Sequence, residues 1–276
     1  MSGHLAVRML DDLSTITHLV GAPCLQVVGL LMGLAWCVAL IRRDASIVDS
    51  VWGLGFVLLT WTAYAATQTL GDEPRRLAVF GLVTAWGLRL TSHLVIRHAR
   101  EGEDRRYARM RLGWGTGFAW KSLVFVFGLQ AVLMLIVSMP VLAVMCAQHV
   151  PPPGPLDFVG AGLAALGLLI EAAADRQLDG FRADPEAHGG VMDRGLWRYS
   201  RHPNYFGESM FWVGLGLLAV SVGAAWALVS PVVITVLLLR VSGVALMEKT
   251  IGTRRPEYAA YIARTSAFVP WWPRKG

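Results

Sequence analysis

Seven stretches of the chain are apolar almost without interruption, at roughly 19–41, 47–68, 77–96, 118–147, 157–180, 204–223 and 225–247. Each is long enough to cross a hydrocarbon core of about 30 Å as a helix rising about 1.5 Å per residue. The last two are separated only by a turn at Ser221–Ala225 and read as a hairpin. The pattern therefore predicts an all-α, polytopic integral membrane protein of about seven transmembrane helices. No internal repeat, low-complexity tract or separate soluble domain is visible. Residues 1–276 read as one membrane domain, with helices 1–4 in 1–150 and a second half in 151–276.

The basic residues give this pattern a direction. Arg42 and Arg43 follow the first span, six arginines lie from Arg97 to Arg111, and Arg176, Arg182, Arg194, Arg198 and Arg201 surround the fifth-to-sixth connection. Lys249, Arg254, Arg255, Arg264, Arg274 and Lys275 occupy the C-terminal tail. With seven spans all four groups fall on one side, and the other side keeps only Arg8, Arg75 and Arg76. The positive-inside rule then puts the N-terminus outside and the C-terminus in the cytoplasm. The net charge of +6 is topology, and nucleic acid is not an expected partner. The first 18 residues lack the basic start and short apolar core of a cleaved signal peptide.

Composition agrees: 55% hydrophobic, 16% charged and a mean hydropathy of +0.50 exclude an ordinary soluble domain. Cys24, Cys37 and Cys146 fall inside apolar segments, and the histidines show no ligand pairing, so neither disulfides nor a metal are expected. The long connections 97–117 and 181–203 carry aromatic and ion-pairing residues (Glu103, Asp104, Tyr107, Trp114; Asp193, Trp197, Tyr199), which predicts order. The tail 250–276, with Tyr258, Tyr261, Trp271 and Trp272, is expected to pack back against the cytoplasmic face.

Ionisable groups inside spans are costly and usually face a protein interior or a wet cavity. Here Asp49 lies just inside the second span, and Arg89, His93 and Arg97 form a stripe down the third. On the fifth, Glu171, Asp175, Asp179 and Arg182 fall within about 80° of one another on a helical projection, a single polar face. A purely structural ion-pair seam would explain that face. Its coincidence with residues 196–208 favours a binding cavity instead. There Arg198, Arg201 and His202 crowd a helix start at Pro203, with Asn204 and Glu208 on the face that follows. Arginines suit phosphate, and carboxylates accept from ribose hydroxyls or a carboxamide.

At these residues a family becomes visible. Asp175-Arg-Gln-Leu-Asp-Gly-Phe-Arg-Ala-Asp-Pro185 and Gly195-Leu-Trp-Arg-Tyr-Ser-Arg-His-Pro-Asn-Tyr-Phe-Gly-Glu208 resemble the C-terminal half of the steroid 5α-reductase superfamily and the matching region of the sterol reductases. Over its length the chain is most similar to the bacterial membrane proteins grouped as DUF1295, a branch of that superfamily. Ser46–Gly53, Trp86–Leu90, Gly102–Tyr107, Ser242-Gly with Glu248-Lys249, Tyr258-x-x-Tyr261 and Thr265–Pro270 carry this similarity. The resemblance implies an NADPH site in a cytoplasm-facing membrane cavity of the bacterial inner membrane. Glu171, Asp175, Arg182, Asn204, Tyr205 and Glu208 would contact the cofactor, with Trp197, Arg201, His202 and Glu248 close by. Where the steroid enzymes carry a Gln-Glu pair and a Tyr for the substrate ketone, this chain has Val48-Asp49 and Trp86.

The expected activity is NADPH-dependent reduction of an activated C=C bond in a lipid or steroid-like substrate. Asp49 and Arg89 are candidates for polarising the substrate, and Tyr107 for giving the proton. Arg-His-Pro-x-Tyr-x-Gly followed by a downstream Glu also occurs in isoprenylcysteine and phospholipid methyltransferases, so an S-adenosylmethionine enzyme is the alternative. A transporter or non-catalytic lipid-binding protein is the third reading, although no pair of similar halves with broken helices is seen.

Overall fold

The computed structural model describes residues 2–70, 73–148, 150–187, 190–241 and 258–274. Glu248 and the Ser242-Gly and Glu248-Lys249 matches lie outside them. Among the described residues the fold is helical, with one isolated bridge between Ser200 and Ser266. Five helices among the described residues are long and apolar enough to cross a membrane: Met9–Arg42, Ile47–Ala66, Glu73–Glu101, Arg105–Val137 and Pro155–Ala183. These are the helices of a membrane protein. The sixth and seventh apolar segments appear as a 19-residue helix with a polar first turn, Pro203–Ser221, and a shorter apolar helix, Ala225–Arg240.

The chain forms two compact units, Met1–Asp157 with Leu218–Ala227, and Phe158–Leu217 with Leu228–Gly276. In the first, α1 (Ser2–Ile16) runs through a π-helical turn into α2 (Ala22–Arg42). α2 ends at Arg43 in the left-handed conformation, φ 54°, whose N–H reaches back to the carbonyls of Ala39 and Leu40. α3 (Ile47–Ala66) and α4 (Glu73–Glu101) follow as an antiparallel pair. Their backbones nearly touch: a Cβ on Gly53 would lie 2.5 Å from the Gly87 carbonyl oxygen, and one on Gly87 would lie 2.6 Å from that of Gly53. Farther along, Trp61 Nε1 donates to Thr84 Oγ1 at 2.9 Å.

α5 (Arg105–Trp114), α6 (Phe118–Ser122) and α7 (Leu129–Val137) continue one another. α8 (Met139–Cys146) is buried from Pro140 onward and lies against α1, α3 and α4. The segment 97–117, expected as a long connection, is mostly helix, because α4 continues to Glu101 and α5 starts at Arg105. Charge does not oppose a helix whose end projects beyond the apolar stretch, and Asp104 caps the new start by accepting from Arg106 N at 2.8 Å.

Arg75 and Arg76 are clamps. Arg75 Nε and Nη2 bind both carboxylate oxygens of Asp157 at 2.6 and 3.0 Å, and its Nη1 donates to the Pro151 carbonyl at 2.8 Å. Ser221 Oγ and Gly154 N also donate to Asp157. Arg76 is 0% exposed and donates to Leu70 O, Tyr64 O and Thr67 Oγ1. A buried ion pair holds only when its remaining polar valences are satisfied, and around Arg75 and Asp157 they are met by the Pro151 carbonyl, the Ser221 hydroxyl and Gly154 N–H.

The second unit is built on α9 (Pro155–Ala183) and α10 (Pro203–Ser221), continued by α11 (Val229–Val236) and α12 (Tyr258–Arg264). Small residues let two backbones approach in an apolar medium, where burial of side chains gives little drive. α9 and α10 do this along their length. A Cβ on Gly167 would lie 2.5 Å from both Gly207 O and Phe211 N, and one on Gly207 would lie 2.6 Å from Glu171 N. Gly214 is pressed in the same way against Ala164. The register is antiparallel, so the acidic end of α9 meets the polar start of α10.

Gly207→Ala is expected to lower the melting temperature in detergent by several degrees, because overpacking such a crossing costs about 1–3 kcal/mol. Gly162→Ala, also on α9 but with nothing within 4 Å of the added carbon, should leave it unchanged. Equal melting of both variants would contradict the crossing.

Candidate functional site

In the first unit, two of the candidate catalytic residues meet. Tyr107, near the start of α5, donates its hydroxyl to Asp49 Oδ1 at 2.8 Å, and Arg106 Nη2 reaches Asp49 Oδ2 at 3.2 Å. Asp49 lies in the first turn of α3. Its hydrogen bonds go to Tyr107 and Arg106, not to Arg89, which is half-buried on α4. Arg106 Nε is fixed by Asp104 Oδ1 at 3.0 Å. A second ring of contacts ties the three helix ends together: Ser46 Oγ donates to Asp44 Oδ1 at 2.6 Å, Asp104 N donates to Ser46 Oγ at 3.2 Å, and His98 Nε2 pairs with Asp44 Oδ2 at 3.1 Å.

Sequence reasoning gave no role to Arg106, Ser46, Asp44 or His98. The signal for Arg106 was present: Asp104 followed by Arg105-Arg106-Tyr107 is a capped helix start, which places residues 106 and 107 over whatever the cap faces.

In the second unit the α9–α10 seam gathers most of the candidate cofactor residues. Glu171, Asp175 and Glu208 are buried, and Asn204 is half-buried. Asn204 Nδ2 donates to Asp175 Oδ1 at 3.1 Å, while its Oδ1 is buried without a hydrogen-bond partner among the described residues. Arg182, at the end of α9, is exposed. Trp197 is buried, its Nε1 donating to the Ala174 carbonyl at 3.0 Å. Gly195 suits that approach: its φ of 59° favours glycine, a Cβ there would push on the Gln177 amide, and Leu196 N donates to Gln177 Oε1 at 3.0 Å.

His202, 2% exposed, stacks on Tyr205 with ring centroids 5.6 Å apart and planes at 6°. Arg201 is clamped: its Nη1 donates to the carbonyls of Thr265 and Ile262 at 2.6 and 3.2 Å, capping the end of α12. Around it the tail closes over residues 197–202. Tyr261 Oη donates to Trp197 O at 2.5 Å, Ser200 Oγ to Phe268 O at 2.7 Å, Arg201 N to Ser266 O at 2.8 Å, and Trp271 N to Tyr199 O at 2.9 Å. Burial raises the Tyr261 hydroxyl pKa above its ordinary value, so it remains a donor.

Long apolar helices, with a polar seam in the second unit where α9 meets α10, define a polytopic membrane protein with a candidate ligand site. The chain belongs to the family described as "Protein of unknown function (DUF1295)", which matches residues 35–265. It is similar to the "Uncharacterized protein C594.04c" of Schizosaccharomyces pombe, 24% identical over 283 residues, covering 88% of this chain and 79% of that protein. No solved structure matches it.

The cap of α5 is testable through pH. Burial pushes the Asp104 carboxyl up, but the hydrogen bonds and charge of Arg106 outweigh it and hold the group below its ordinary value of 3.8. A depressed pKa contributes stability above the unfolded value, and that contribution is lost as pH falls through the folded one. Asp104→Asn keeps a capping oxygen and removes the charge. Its melting temperature should lie below wild type at neutral pH and down to about the ordinary carboxylate range. The two should converge only in stronger acid, followed by thermal melts across pH.

Proposed function

We propose that the protein is a membrane-embedded, NADPH-dependent reductase of an activated C=C bond in a lipid or steroid-like substrate. It would cross the bacterial inner membrane about seven times, with its C-terminus and cofactor residues on the cytoplasmic side. The observation that carries this reading is the seam at Asp175 and Asn204. Asn204 gives its Nδ2 to the buried carboxylate of Asp175, its own buried Oδ1 has no hydrogen-bond partner among the described residues, and Glu171 and Glu208 are buried on the same two helices. A buried acceptor such as Asn204 Oδ1 must be satisfied, and a ligand carrying hydroxyl or amide N–H donors would satisfy it. The matches of residues 175–185 and 195–208 to the steroid 5α-reductase and sterol reductase pattern support the same ligand.

The residues present fit NADPH. Glu171, Asp175, Asn204 and Glu208 would accept from its hydroxyls and carboxamide, and Arg182 would take phosphate, with Trp197, His202, Tyr205 and Glu248 completing the site. Arg201, clamped on carbonyls through Nη1, would act mainly by holding residues 197–202 in place. When bound, the cofactor supplies a hydride for the β-carbon of a polarised double bond. Tyr107 would hold the proton destined for the α-carbon: its hydroxyl rests on Asp49 Oδ1, a carboxylate fixed by Arg106, and would turn from it to the substrate to deliver the proton. Arg89 would polarise the substrate carbonyl.

One charge-assisted contact is worth about 1.5–3 kcal/mol, or about a 10- to 150-fold change in affinity. Arg182→Ala should therefore weaken NADPH binding at least about tenfold, and Asn204→Ala and Glu208→Gln should abolish most of it in folded protein, read by calorimetric titration in detergent. Asp49→Asn should leave NADPH affinity intact and remove turnover. Wild type that binds S-adenosylmethionine and not NADPH would establish the methyltransferase alternative and end the reductase reading.

A further inference from the structure

Away from the α9–α10 seam, the second unit carries a basic cleft that supplies no cofactor contact in the reductase proposal. Asp193, Arg194, Arg198, Arg264 and Thr265 line a cavity of about 420 Å³. Arg264 and Thr265 also border a second cavity of about 310 Å³, whose other edge is Trp271, Trp272 and Arg274. The backbone joins the two, Arg274 N donating to Arg264 O at 2.9 Å. Five arginines thus meet one carboxylate: Arg201 is held on the Thr265 and Ile262 carbonyls, and the carboxylate is taken by Arg264. Arg194, Arg198 and Arg274 are exposed, with no acidic partner among the described residues.

Beside them Trp271 and Trp272 are 71% and 75% exposed, although the turn bearing them is fixed by the Trp271 N to Tyr199 O bond and by edge-on packing of Trp272 on Tyr199 at 5.4 Å. Nothing in the unit's packing requires two indoles to be held in the open. A soluble anion would be served by the arginines alone. A membrane surface uses both: indoles settle at the headgroup level, and juxtamembrane arginines attract anionic lipid.

We propose that this cleft binds the phosphate of an anionic phospholipid headgroup, with Trp271 and Trp272 seated at the lipid interface beside it. The site is distinct from the seam and does not depend on what the seam binds.

The full-length chain in nanodiscs of phosphatidylcholine mixed with phosphatidylglycerol tests it, with retained lipid counted by native mass spectrometry after mild detergent extraction. Wild type should retain phosphatidylglycerol in excess of its share of the bilayer. Each basic residue near an anionic surface contributes about fivefold, so Arg194→Gln with Arg274→Gln should reduce that excess by about 25-fold. Trp271→Ala with Trp272→Ala should also reduce it while the arginines remain. The proposal is overturned if wild type shows no preference for phosphatidylglycerol, or if the arginine variant retains it fully. It is overturned equally if inorganic phosphate or NADPH displaces the lipid from wild type, since the cleft would then be a soluble phosphate site.

Discussion

In hydrocarbon a polar group has no water to fall back on, so each must be paired within the protein, and helices must associate without much hydrophobic drive. The α9–α10 crossing answers both demands at once. Gly167, Gly207 and Gly214 let the backbones nearly touch, and that contact fixes the register of the two helices. The register decides which polar residues become neighbours. With Gly207 against Glu171, Asn204 one turn earlier reaches Asp175 one turn later. A shift of one residue along either helix would rotate these side chains away from each other by about 100°. Small residues with no chemistry of their own thus place the polar ones.

The same economy appears in the segment before α10. Residues 195–202 make one 3₁₀ turn, Gly195–Arg198, and then run irregularly to α10, and several of their backbone groups find partners elsewhere. Gln177 on α9 takes one, Tyr261 and Ser266 take others, and Arg201 returns the contact by capping α12. Trp197 is the plug between them. An irregular loop held at this many points behaves as a rigid platform, which is what a helix start bearing His202, Asn204 and Glu208 requires.

Much of this was legible in the sequence. Hydrophobic runs located the helices, since an apolar stretch of twenty residues has few other solutions. The polar face Glu171–Asp175–Asp179 and the motif through Glu208 marked the seam, because charges are rarely placed in a span without a partner. Helix ends were not legible. Residues 97–101 and 105–114 are highly charged and read as a loop, yet they extend the helices past the apolar stretch, where propensity and capping decide and hydropathy is silent. Nor could composition separate an arginine that flanks a span from one that is buried. Arg75 and Arg76 sit at a helix start like ordinary flanking charges, and only the fold brings Asp157 and the carbonyls of 64–70 and 151 around them.

The helical course of residues 97–114 bears directly on Asp49. A flexible connection over 97–117 would leave Tyr107 free to approach or leave. With α4 ending at Glu101 and α5 capped at Asp104, only the short turn at 102–104 intervenes, and Gly102 turns it with φ 71°. The turn is pinned to the start of α3 through Ser46, whose hydroxyl accepts from Asp104 N, and through His98 on Asp44. Asp49 lies one helical turn beyond Ser46, so the contacts that hold the turn also set the distance from Tyr107 to the carboxylate. Apart from the backbone bond from Asp49 N to Ser46 O at 3.1 Å, the polar cluster at Asp44, Ser46 and His98 shares no hydrogen bond with Asp49 or Tyr107 among the described residues. It acts on them through the positions of three helix ends, which makes the geometry of the pair a property of the backbone and not of two mobile side chains.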